Sequence, residues 1–126
     1  MPLNSLQPGS MSLAQLRQIA RAADAIALAD GWRKGVEQSL AAVGRRLASG
    51  EALYGINTGF GKLAKTRISA EELAKLQLNI VRSHAAGVGT PLADSTVRLV
   101  LVLKAASLAR GFSGVRPLVI ERLLQF

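Results

Sequence analysis

Apolar positions recur at helical spacing in five stretches of the chain. In the first, Leu13, Leu16, Ile19 and Ala20 follow Ser12-Leu13-Ala14-Gln15, a hydroxyl with Gln three residues on, which is the signature of a capping box. In the second, Trp32, Val36, Leu40, Val43 and Leu47 return every three or four residues, with Asp30 as N-cap, Arg45 and Arg46 at the carbonyl end and Gly50 as the C′ residue. Ser69-Ala70-Glu71-Glu72 repeats the box and opens a third helix with Leu73, Leu76 and Ile80 on one face. This helix runs to about Ser83, leaving His84 at or just past its end, before a glycine-rich connection closed by Pro91. A fourth, over 96–110 and capped by Asp94 or Ser95, has almost no polar face: Val97, Leu99, Val100, Leu101, Val102, Leu103, Ala105, Ala106, Leu108 and Ala109 surround it. Such a helix wants burial on every side, so it is either the centre of the domain or packs against further chain. After Gly111, Pro117 takes a favoured first helical position and Val119, Ile120, Leu123 and Leu124 begin a fifth pattern, still running at Phe126 without a cap. That is how a chain cut from something longer reads. Outside the helices, only Ile26 and Leu28 suggest a short strand. The expectation is a mainly α protein with one or two very short strands.

Composition changes this picture little. At 126 residues with 49% apolar side chains, the chain suits one folded domain with a modest core. Sixteen basic against eight acidic residues leave a net charge of +8, which makes an anionic partner worth weighing. The aromatic residues Trp32, Tyr54, Phe60, Phe112 and Phe126 are scattered, however, whereas single-strand binding modules stack bases on aromatics, so the charge argues only weakly for nucleic acid. Most of it reads as solvated helix faces. Without cysteine there is no disulfide, thiolate metal site or thiol nucleophile, which fits a cytoplasmic location. The first ten residues lack the pattern of a signal peptide. The longest apolar run, 97–109, is interrupted by Arg98 and Lys104 and followed by Arg110, too short and too charged to span a bilayer.

The chemistry concentrates in Tyr54-Gly55-Ile56-Asn57-Thr58-Gly59-Phe60-Gly61, where the only tyrosine opens a loop with three glycines. Glycine costs conformational entropy on folding, and this density points to a mobile or closely approached loop. A phosphate loop is excluded: that pattern needs Gly, four residues, Gly, Lys and then Ser or Thr, but Ile56 stands at its first position and Leu63 follows Lys62. A dinucleotide fingerprint needs a βαβ setting that this helical chain lacks. An active-site lid carrying a tyrosine is left.

Those eight residues resemble the tyrosine-loop signature of the aromatic amino acid ammonia-lyases and aminomutases, which have a fumarase/aspartase-like helical fold. Ser83-His84-Ala85-Ala86-Gly87-Val88-Gly89 resembles that family's substrate-selectivity stretch, and Arg110-Gly111-Phe112-Ser113-Gly114-Val115-Arg116 its segment after the buried helix. The resemblance runs over about 51–126 and more loosely back to Ser12. It implies that Tyr54 is the base that takes the β-proton of an amino acid while an electrophilic 4-methylidene-imidazol-5-one holds the amine. A free phenol, with pKa about 10, is only ~0.1% ionised at neutral pH, so such a site has to favour phenolate. Gly55, Asn57, Thr58, Gly59 and Gly61 are implied as supports of the lid. His84 matches the position where histidine-specific members carry Ser-His and others His-Leu or Phe-Leu, implying L-histidine as substrate and urocanate as product. Taken alone, one histidine beside small residues is more often a structural hydrogen-bonder; its imidazole can nonetheless exchange a hydrogen bond with a substrate imidazole.

The family's electrophile forms from an Ala-Ser-Gly tripeptide, and Ala48-Ser49-Gly50 has that composition. Cyclisation needs a tight turn in a protected core, whereas this tripeptide ends an amphipathic helix, where Gly50 already has a structural explanation. It is rejected as a decoy, and the chain is expected to stop before the segment that makes the electrophile and before the central helical bundle. The 126 residues alone are then inactive, while the full-length protein is a homotetramer without metal, nucleic acid or membrane partners. The rival readings are a tyrosine or phenylalanine lyase or an aminomutase of the same family, a non-catalytic basic binding module, and a shortened paralogue acting as an interaction protein.

Overall fold

The computed structural model describes residues 5–22, 24–59 and 68–126. Seven elements follow one another: β1 (Ser5–Leu6), α1 (Leu13–Arg21), β2 (Ala27–Leu28), α2 (Trp32–Ala48), α3 (Ala70–His84), α4 (Asp94–Leu108) and α5 (Pro117–Gln125). They fall into two compact units, one of residues 1–43 and 91–126, the other of residues 44–90.

In the first unit, the two strands form a parallel pair with Ser5 opposite Ala27 and Leu6 opposite Leu28. Parallel strands need a crossover connection, and α1 supplies it. Its capping box is complete: the Ser12 hydroxyl accepts from the Gln15 amide (3.2 Å) and the Gln15 side chain accepts from the Ser12 amide (2.8 Å). At the other end of α1, Arg98 of α4 donates to the Ala22 carbonyl at 2.6 Å.

The core of this unit is apolar throughout. Leu6, Ile19, Leu28, Val36, Val102, Ala105, Ala106, Leu108, Ala109 and Ile120 form one buried cluster, with α4 packed against both α1 and α5. Ala105 and Ala106 let the neighbouring helices come close to α4. That helix is buried along one stripe only: Val97, Val100 and Leu103 are exposed, so burial on every side is not what the described residues provide. It also begins earlier than the sequence suggests. Ala93, extended at φ −61° and ψ 143°, is the N-cap and makes no side-chain bond, while Asp94 is already helical, its carboxylate in the first turn where the dipole favours it. Similarly, α2 starts at Trp32, after a turn in which Gly31 takes φ 91°, rather than directly after Asp30.

The turn between α4 and α5 docks on α2. Gly111 has φ 80°, and a Cβ there would lie 2.6 Å from the carbonyl carbon of Gly35. One turn along α2, the Ser39 hydroxyl accepts from the Gly114 amide at 2.9 Å. Only glycine fits the first of these contacts, because both the conformation and the space exclude a side chain. An ion pair between Arg33 and Glu121 links α2 to α5 at the surface. Among the described residues no helix is long and apolar enough to cross a membrane.

Candidate active site

The second unit holds both residues singled out for chemistry, Tyr54 and His84. It opens with the end of α2, where the Gly50 amide donates to Leu47 (3.1 Å) and the Glu51 amide to Arg46 (3.2 Å). With Gly50 at φ 79°, these bonds are a Schellman closure. The Ser49 hydroxyl donates to the Arg46 carbonyl at 2.9 Å. Ala48-Ser49-Gly50 is thus the ordinary end of a helix, its Gly50 nitrogen engaged with Leu47, and it does not fit formation of an imidazolone ring.

The tyrosine loop follows, held by polar side chains. The Leu53 carbonyl accepts from the amides of Ile56 (3.0 Å) and Asn57 (3.1 Å), closing a turn around Tyr54 and Gly55, the latter at φ 71°. Asn57 braces that turn from inside. Its Oδ1 accepts from the Leu53 amide at 2.7 Å and its Nδ2 donates to the Glu51 carbonyl at 2.8 Å. Thr58 adds a second brace, accepting from the Gly55 amide (3.3 Å) and donating to the Gly59 carbonyl (3.1 Å). Asn57 and Thr58 are 7% and 3% exposed, so polar groups that would be costly to bury unpaired are satisfied by the loop itself. Tyr54, by contrast, is 66% exposed at the outside of the turn. Gly59 is buried, whereas Gly61, named with the lid supports, lies outside the described residues, as do Phe60 and Lys62.

α3 carries His84 as its last residue. The Ser69 hydroxyl caps its start by accepting from the Glu72 amide, the half of the expected box that the described residues show, and Glu71 and Glu72 sit in the first turn as the local sequence suggests. At the far end, His84 Nδ1 lies 2.8 Å from the Ile80 carbonyl and 3.0 Å from the Ser83 hydroxyl, which itself donates to Ile80. A carbonyl can only accept, so Nδ1 carries the proton in this arrangement. With Nδ1 as the donor, the tautomer that fits this geometry has Nε2 as its lone-pair acceptor. A side-chain bond joins the loop to this helix, Gln77 Nε2 donating to the Ile56 carbonyl at 3.2 Å. Sequence reasoning missed Gln77. The signal that could have found it is spacing, since Gln77 and His84 are seven positions apart on one helix face.

Among the described residues no cluster of three His, Asp or Glu side chains is placed to hold a metal ion. The arrangement offers an exposed phenol on a braced turn and an imidazole acceptor at a helix end.

The profile described as aromatic amino acid lyase matches residues 11–126. The chain belongs to the aromatic amino acid lyase family. Within that family it is 52% identical to a histidine ammonia-lyase of Pseudomonas fluorescens, over 95% of this chain and 23% of that protein. It is 50% identical to a histidine ammonia-lyase of Paracidovorax citrulli, over 98% of this chain and 24% of that one. Among solved structures it is similar to the tyrosine aminomutase of Streptomyces globisporus, with a TM-score of 0.87 and 26% identity over 96% of this chain and 23% of that chain. The chain therefore spans about a quarter of the length of the family members it matches.

Proposed function

We propose that this chain is the N-terminal quarter of a histidine ammonia-lyase, a carbon–nitrogen lyase that eliminates ammonia from L-histidine to give urocanate. The observation that carries this reading is its identity, at 50–52%, to proteins of that name. Tyr54 takes the β-proton of the substrate, a role its exposed position on a braced turn suits. His84, with Nδ1 tied to Ile80, accepts a hydrogen bond from the substrate imidazole through Nε2. Residues 48–50 do not fit the imidazolone electrophile, so the acceptor for the amine has to come from other sequence of the full-length enzyme. That enzyme works as a cytoplasmic homotetramer, in which the exposed apolar side chains of α4 are covered.

The test supplies the full-length protein with L-histidine, L-tyrosine and L-phenylalanine separately and follows the ultraviolet absorbance of the unsaturated acid. L-Histidine alone is expected to turn over, and preferential turnover of either other amino acid would sink the substrate assignment. Tyr54→Phe is expected to lower kcat by ~10²–10⁴-fold, the usual contribution of a general base. Full activity in that variant would remove Tyr54 from the reaction.

A further inference from the structure

We propose that Gln77 is a positioning residue that sets the tyrosine loop at a defined height against His84. The two parts of the site come from separate chain segments, a loop and a helix. Tyr54 sits on a turn braced internally by Asn57, whose side chain spans from the Leu53 amide to the Glu51 carbonyl. That bracing fixes the shape of the turn and says nothing about where the turn stands relative to α3. The backbone ties the loop to the start of the helix, the Ile68 amide just ahead of the Ser69 cap donating to the Asn57 carbonyl at 3.1 Å, and the side-chain link farther along is the Gln77 amide, which donates to the Ile56 carbonyl at 3.2 Å.

Two geometric facts make this bond a spacer. Ile56 is two residues from Tyr54, and with consecutive Cα atoms ~3.8 Å apart the anchored carbonyl lies within roughly 8 Å of the Tyr54 backbone. On the helix side, Gln77 and His84 are seven residues apart, so at ~1.5 Å per residue they are separated by roughly 10 Å along the axis and by about 20° around it. The face that grips the loop is therefore the face that ends in the imidazole. Because the helix between them is continuous and its last turn is tied by His84 Nδ1 to Ile80, the grip point and the imidazole move as one body. Gln suits this place. Its amide donates to the carbonyl without a charge, and the length of its side chain sets the distance between loop and helix.

The inference rests on the proposed roles of Tyr54 and His84, and its test separates the two. In the full-length protein, Gln77→Met keeps the length of the side chain and removes the donor; Gln77→Glu keeps the shape and turns an acceptor toward a carbonyl. Both should raise hydrogen exchange at the amides of Ile56 and Asn57 by about tenfold or more, leave thermal unfolding unchanged and lower kcat by ~10–10²-fold, the scale of an ångström of misplacement. KM for L-histidine should stay within about threefold, because His84 keeps its own support. Gln77→Lys, which restores an N–H donor of similar reach, should recover most of the exchange protection and of kcat. Unchanged exchange in the Met and Glu variants would overturn the proposal, as would unchanged kcat or a rise in KM that accounts for the whole effect. If the parent protein does not act on L-histidine, the proposed function fails, and the exchange data alone decide whether Gln77 holds the loop.

Discussion

The two units of this chain solve the same problem with different chemistry. In the first, every residue of the core cluster is apolar, and Ile120 within it is fully buried. In the second, the buried side chains are Asn57 and Thr58, while α3 leaves Val81 64% exposed and contributes no fully buried residue of its own among those described. Apolar burial is non-directional and tolerates small shifts, whereas hydrogen bonds specify angles and distances. The unit that carries Tyr54 and His84 is thus the one whose shape is written in directional contacts. Among its described residues few apolar side chains are buried, and a unit held that way has low local stability.

This contrast can be broken most easily at Ile120. Truncation to alanine removes three methyl-sized groups from a site with no solvent access and should cost roughly 2–5 kcal/mol, the usual range for emptying a core position. The expected loss is confined to the first unit. Urea unfolding measures the magnitude, and amide exchange resolved along the chain measures the location. Equal loss of protection at the amides of the 51–58 loop would show that the two units unfold as one and that the distinction between them has no energetic content.

How much of this was legible beforehand depends on whether the signal was local. The Ser12–Gln15 box, the Ser69 cap and the Gly50 closure lie within five residues of their partners, and the structure places each as expected. Asp94 misled because a carboxylate is favourable both at a cap and in the first turn, and only the extended backbone of Ala93 tells them apart. β1 carried no period at all, since two residues cannot show one. Within the site, Tyr54 and His84 stand in recognisable eight- and seven-residue words, but their link does not. A glutamine on an exposed helix face reads as a solvated residue until the carbonyl of Ile56, 21 positions away, is placed beside it.

A smaller effect, and a sharper one, is expected at Asn57. Alanine there removes both side-chain bonds of Asn57 and leaves the Leu53 amide and Glu51 carbonyl to find water, for a loss of about 1–3 kcal/mol. The same bonds can be probed without loss of volume by Asn57→Asp, which keeps the acceptor for Leu53 but sets a second oxygen against the Glu51 carbonyl. If directional bonding shapes this unit, the aspartate variant should lose nearly as much as the alanine. If volume matters more, the aspartate should behave as the parent. Exchange at the amides of Gly55, Ile56 and Asn57 reports the difference, and the amides of α4 should remain protected in both.

The smallest effect, at Ser12, tests whether the same bond means different things in the two units. Ser12 and Gln15 exchange two hydrogen bonds at the exposed start of α1, chemically the same kind of contact that Asn57 makes with its own loop. Ser12→Ala should cost about 1 kcal/mol, the usual value of an N-cap. The helix itself should persist, because Ile19 is buried in the core and Leu16 packs against it. Exchange should therefore rise only in the first turn of α1, while the rest of the helix keeps its protection. A loss as large as that of Asn57→Ala, spread over all of α1, would mean that side-chain bonds to the backbone hold the apolar unit as much as they hold the tyrosine loop.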